Sequence, residues 1–226
     1  MLRALAEKLP TVKSLTVHPV AYDASHLGDE LATRTDWGPA KGGGASFCTH
    51  RLVDAGPRRV EFRATKGALA FFAAFALMGL MALVIFPVAA FNSMGLQWLT
   101  LAFLILPLVV GTVFVAVGSA LWYYVGAPIV FDKQRGEYWK SRVPPEAAAN
   151  RHAMKDRVAL DRIHALQLIS ELCEGDDSTY TSYELNLVLD DATRLNVVDH
   201  GNREELRRDA EALAKFLGRP LWDATA

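Results

Sequence analysis

Charge is missing from residues 67–131, where no Asp, Glu, Lys, Arg or His occurs. The core helix of a soluble protein needs about 14 consecutive apolar residues at most, whereas a bilayer span needs about 20. This stretch is long enough for two spans and a turn. Cysteine is scarce as well: Cys48 and Cys173 are the two present, with no CxxC or Cys/His spacing of metal-ligand type. They read as free, partly buried thiols in a reducing compartment. Neither sign of charge dominates, with a formal net charge of −1, so nothing in the bulk charge favours nucleic acid as a partner. The first residues lack a long apolar core and carry Glu7, which makes a poor signal peptide. No Walker loop, dinucleotide glycine pattern, GxSxG elbow or HExxH helix occurs either. The expectation is a protein with no catalytic, cofactor-binding or metal-binding residues, and no cofactor.

What is present begins with that apolar stretch. Two transmembrane helices are expected over residues 68–89 and 99–124, because only helices or closed barrels satisfy the backbone inside hydrocarbon. Each Leu, Ile, Phe or Val favours insertion by a few tenths of a kcal/mol, and a mid-span charge would cost roughly 2.5–3.5 kcal/mol. The connection over residues 90–98 contains the turn formers Asn92, Ser93 and Gly95. Pro87 falls near the end of the first span, and Pro107 should kink the second. Gly111 and Gly118 share one helical face. Two readings stay open for them: a close seat for the partner helix, or chance in an alanine-rich span.

Orientation follows from the flanks. Arg58, Arg59, Arg63 and Lys66 precede the first span; Lys133, Arg135, Lys140 and Arg142 follow the second, and the connection carries no charge. The positive-inside rule then places both termini in the cytoplasm. Trp122, Tyr123 and Tyr124 suit the inner aromatic belt, and Trp98 the outer one.

Outside the spans the periodicity is two. Strands are expected over residues 47–53, 59–64, 129–132, 137–141, a long bent 158–171 (or a weaker helical alternative), 183–189 and from Leu195 onward. Tyr183, Leu185, Leu187 and Leu189 alternate with Glu184, Asn186, Val188 and Asp190, which predicts one buried face. Asn202, with Glu205 three residues on, predicts a helix start, and Gly218 with Pro220 its end. The fold class is therefore an α+β membrane protein: a transmembrane hairpin (67–125) inserted in a cytoplasmic β domain (47–66 plus 126–226). About seven antiparallel strands and one C-terminal helix have the layout of a pleckstrin-homology-like (PH-like) barrel or sandwich. Residues 1–46 read as an arm: a short helix, an irregular part with a possible helix over 25–32, and a flexible Gly42-Gly-Gly44 linker.

The runs Pro128-Ile-Val-Phe-Asp-Lys133, Ile163-His-Ala-Leu-Gln-Leu-Ile-Ser-Glu171, Tyr183-Glu-Leu-Asn-Leu-Val-Leu189, Leu195-Asn-Val-Val-Asp-His-Gly201 and Pro220-Leu-Trp-Asp223 resemble an uncharacterised family of bacterial inner-membrane proteins. That resemblance covers roughly residues 60–224. It implies a PH-like cytoplasmic domain interrupted by a hairpin, at the inner membrane, and no catalytic motif.

Chemistry is thin elsewhere. His164 follows Asp161-Arg-Ile and His200 follows Asp199, but neighbours on a strand face opposite sides. Glu174-Gly-Asp-Asp177 reads as an acidic turn rather than a metal site. Arg58, Arg59, Arg63, Lys66, Lys133 and Arg135 are the candidates for contact with the membrane surface, at about 1 kcal/mol per charge; setting topology is a sufficient role for them. The partners expected are the bilayer and a protein. The leading function is a non-enzymatic membrane-anchored binding or scaffold module. An immunity protein against a secreted toxin and an accessory subunit of a larger membrane complex are the alternatives.

Overall fold

The computed structural model describes residues 16–19, 22–95, 97–147, 157–174 and 179–225. The predicted first helix, the alanine-rich stretch before Arg157 and the acidic turn after Glu174 lie outside them. Along the chain the elements are β1 (Thr16–Pro19), α1 (Glu30–Arg34), β2 (His50–Gly56), β3 (Arg59–Ala64), α2 (Lys66–Met94) and α3 (Trp98–Ala120). They continue with β4 (Ile129–Asp132), β5 (Glu137–Lys140), β6 (Arg157–Ala159), β7 (Ile163–Glu174), β8 (Thr179–Leu189), β9 (Arg194–His200), α4 (Arg203–Leu217) and β10 (Leu221–Asp223). They fall into two compact units, one of residues 48–161 and one of residues 1–47 with 162–226.

The first unit holds the five-stranded sheet β2-β3-β4-β5-β6 and both long helices. Although the helices separate β3 from β4 in sequence, those strands pair, with Val60 opposite Phe131 and Phe62 opposite Ile129. Insertion of the helices between two neighbouring strands of one sheet is thereby met. Leu160–Arg162 form a 3-10 turn that stops β6 after three residues. The expected single strand over 158–171 is therefore two strands in different sheets. Among the described residues no closed barrel forms, and ten strands in two sheets stand where about seven were expected.

Helix α2 runs five residues past the expected end, to Met94. Asn92 and Ser93 are in its last turn rather than the connection: Gly95 N donates to the Phe91 carbonyl at 3.0 Å, and Ser93 Oγ donates back to the Ala89 carbonyl at 2.8 Å. Pro87 is consequently interior. At the other end Thr65 Oγ1 accepts from Ala68 N, an N-cap that the sequence analysis did not single out. Of the two readings of Gly111 and Gly118, close seating is the one observed. A Cβ on Gly118 would lie 2.6 Å from Ala76 N, and one on Gly79 2.6 Å from the Gly111 carbonyl oxygen. Phe75 and Phe114 stack beside this seam, centroids 5.6 Å apart.

The second unit is the antiparallel sheet β1-β7-β8-β9, with β10 added parallel to β7. Leu166, Leu168, Leu185 and Leu187 are fully buried on one face, and α4 packs against β7 and β8 through Leu206, Ala210 and Leu213. Asn202 caps α4 by accepting from Glu205 N at 3.1 Å, and Gly218 ends it in the left-handed region at φ 70°. The expectation of one buried face is corrected. Glu184, Asn186 and Val188, read as outward, are also buried, because residues 22–47 lie over them.

Candidate functional site

In the first unit the foot of the hairpin meets the end of β3. The last turn of α3 widens into a π-helical turn, Leu121–Val125. Arg142 closes it: Nη2 donates to the carbonyls of Trp122 (2.6 Å) and Gly126 (3.0 Å), and Nε to that of Tyr123 (3.2 Å). A cation at a helix C-terminus answers the negative end of its dipole. The guanidinium also stands 5.9 Å from the Tyr123 ring centroid. Beside it, His50 Nε2 is 3.1 Å from the Val125 carbonyl oxygen. Arg63, Arg142, Trp122 and Leu69 line a concavity of about 290 Å³ at this foot.

The six basic residues singled out in sequence divide into two places. Arg63 and Lys66 belong to the helix end of β3. Arg58, Arg59, Lys133 and Arg135 belong to the far end, where the β2–β3 and β4–β5 turns meet and Lys133 N donates to the Arg58 carbonyl at 2.8 Å. With about 3.3 Å of rise per residue, Arg59 and Arg63 are about 13 Å apart along β3. Of the far-end arginines, Arg58 is exposed, while Arg59 and Arg135 lie against a ring and an acid. Arg59 and Arg135 stand 5.4 and 5.9 Å from the Trp139 ring centroid and flank buried Asp132 at 3.6 and 3.7 Å. Between the two places lies buried Glu61, to which Arg59 Nε donates at 2.7 Å and Arg63 Nε at 2.8 Å. Burial alone would push the Glu61 carboxyl up, but the bonds from Arg63 and Arg59 hold it below its ordinary pKa. Of the aromatic set, Trp122, Tyr123 and Tyr124 are exposed at the foot, while exposed Trp98 starts α3 at the opposite end.

In the second unit the covered polar face was not legible as a site. The arm's residues 36–45 meet it with main-chain groups. Ala40 N donates to Glu184 Oε1 at 3.0 Å, and Gly44 N to Glu171 Oε1 at 2.6 Å. Ser182 Oγ donates to the Ala45 carbonyl and Tyr180 Oη to that of Gly44. Gly44, the last of the glycine run, is thus held against the sheet. Gly44 is required for close approach, because a Cβ there would run into Ser182 Oγ and lie 2.8 Å from Glu171 Oε1. Burial, then the charge of Asp199, raises the pKa of Glu184 against the bonds it accepts. Burial and then Glu171 also raise the Cys173 thiol, which makes it a poor nucleophile. Neither cysteine is disulfide-bonded.

The histidines have structural partners. His164 Nε2 is 2.7 Å from Asp29 Oδ2, not paired with Asp161. His200 is buried, and its Nδ1 accepts from Asn202 N at 3.0 Å. That bond fixes the neutral ring with its proton on Nε2, and it occupies the amide a reciprocal capping box would use. Asp199 instead accepts from Asn196 Nδ2 at 2.7 Å, so the two neighbours do not form a pair. Compared with known proteins, the chain matches no family model and no curated protein.

Proposed function

We propose that this chain is an integral membrane protein, anchored by the α2–α3 hairpin, whose PH-like β structure is a non-enzymatic protein-binding module at the cytoplasmic face of the bacterial inner membrane. One observation carries the membrane reading. The two helices are long and apolar enough to span a bilayer, yet only 11% of the most apolar stretch of α2 and 17% of that in Leu101–Val125 is buried. Soluble proteins do not leave that much contiguous apolar surface in water. The charge-free connection and the basic flanks favour both ends inside. The meander β7-β8-β9 followed by α4 supports the PH-like reading. Among the described residues β2 pairs only with β3, and β9 only with β8. A strand that ends a sheet suits a partner that adds another. His164 and His200 are each committed to structural hydrogen bonds, which favours binding over catalysis.

The test is in-cell cross-linking followed by purification in detergent, comparing the intact chain with Val53→Pro and Asp54→Pro. Successive strand amides point to opposite edges, so one of these removes an outward amide and leaves the sheet paired. That variant should lose partners the intact chain retains. Identical partner sets would count against strand addition at β2. A cysteine placed at Ser93 should react with an impermeant thiol reagent added from outside; protection there would reverse the orientation.

A further inference from the structure

We propose that the concavity between Arg63 and Arg142 at the foot of the hairpin binds the phosphate of an anionic phospholipid headgroup; the inference rests on the membrane reading above. Its volume is about 290 Å³, and its walls combine two guanidinium groups with Trp122 and with Leu69 from the first turns of α2. Arg63 is 58% exposed and is tied to Glu61 through Nε alone, which leaves its two Nη amino groups without a partner among the described residues. Arg142 has no carboxylate partner among the described residues, and its guanidinium is fixed by three main-chain carbonyls. The one acid on the lining, Glu61, is shared between Arg59 and Arg63, so the lining keeps a positive balance.

The ligand class follows from what surrounds the two cations. A free small anion would find the arginines but nothing for the apolar wall. A phospholipid satisfies both at once: its phosphate accepts from the planar guanidinium donors, and its glycerol and acyl region continues along Leu69 and the exposed surface of α2 and α3. Trp122, 46% exposed, stands at the height where indole rings favour the headgroup boundary. The far-end cations do not share this setting. Arg58, Arg59 and Arg135 line a separate concavity of about 620 Å³ with Asp132, and no long helix borders it. Within the membrane-contact set expected from sequence, the proposed site singles out Arg63 and adds Arg142.

Intact protein is reconstituted in nanodiscs of phosphatidylcholine with a minor fraction of phosphatidylglycerol, transferred to detergent, and the retained lipid is counted by native mass spectrometry. R63Q/R142Q should retain several-fold less phosphatidylglycerol than wild type, while R58Q/R135Q, which removes equal charge at the far end, should match wild type. Because Arg142 also caps α3, R63Q alone and R142K are run beside the pair. R63Q should lower retention with the hairpin intact, and R142K should keep the charge but lose part of the retention. Equal loss from both charge-matched pairs, or full retention in R63Q, overturns the site. Displacement of the lipid from wild type by excess inorganic phosphate would also overturn it, since the pocket would then read phosphate alone. Release of wild-type protein from membranes by alkaline carbonate would instead defeat the membrane reading. An embedded protein indifferent to R63Q defeats only the headgroup site.

Discussion

The two units bury carboxylates in opposite ways. In the first, Glu61 and Asp132 are flanked by arginine side chains whose other faces reach solvent. In the second, Glu171 and Glu184 sink under the chain's own arm and are met by main-chain amides, and no cationic side chain pairs with either among the described residues. A guanidinium compensates a buried charge and lets it ionise; an amide satisfies its hydrogen-bonding needs but leaves its desolvation penalty standing. The shifts follow: Glu61 sits below its ordinary pKa and Glu184 above. Opposite signs in one chain teach that burial alone does not decide the protonation of an acid. The partner does.

The strongest way to break this comparison is to lift the arm. Gly44→Val drives a side chain into Ser182 and Glu171 and should cost the arm's docking about 2–3 kcal/mol, or roughly 30- to 150-fold faster native-state proteolysis within residues 22–47. Unchanged cleavage would mean that the arm is not held by this face. Next in size, removing both cations from Glu61 with R59A/R63A strands a buried carboxylate, at about 2 kcal/mol after allowance for the exposure of the arginines. Amides of β3 and β4 should then exchange hydrogen faster while those of β8 stay unchanged.

A pH series sharpens the contrast further. Glu61, with its folded pKa depressed, contributes stability that is present above the ordinary carboxylate range and is lost as pH falls through the folded value. Glu184, with its folded pKa raised, contributes stability that is full below the ordinary range and is lost as pH rises toward the folded value. Hydrogen-exchange protection of β3 and β8 should therefore slope in opposite directions with pH, each by about 1 kcal/mol or less per unit. Parallel slopes would sink the assignment. The smallest effect is Glu184→Gln. It keeps an acceptor for Ala40 N and discards the charge, so it should be neutral or stabilising by less than about 1 kcal/mol near pH 7. A clear loss in thermal midpoint would show that the ionised form is the one the arm requires.

The helices and most strands were legible because their signals are local. A charge-free run, a period of two, and the Asn202/Gly218 pair each need no knowledge of distant residues. The connection was misplaced by Asn92 and Ser93, turn formers that the apolar helix carries through before it stops at Gly95. The barrel failed at Leu160–Arg162, a three-residue turn inside an otherwise continuous apolar pattern. At the candidate site, Arg63 and Trp122 could be named from sequence. The capping role of Arg142 could not, since its carbonyl partners lie 16–20 residues away with no pattern to announce them. The polar face of β7 and β8 misled for a related reason. Alternating Glu184, Asn186 and Ser182 look like solvent positions unless one knows that the arm, 144 residues earlier than Glu184, returns to cover them.

That separation sets an order in time. Ala40 is synthesised 144 residues before Glu184, an interval of roughly 7–30 s at ordinary elongation rates. Both apolar helices are made within it. The arm therefore has no sheet to lie on while the two long helices are being made, and it can dock only after β7 and β8 have been made. Completion of the second unit is a late event in the life of the chain. Throughout that wait Trp37 and Leu31 lack the surface formed by Ala165, Val188 and Trp222, and for those seconds the nascent arm is a substrate for chaperones and proteases.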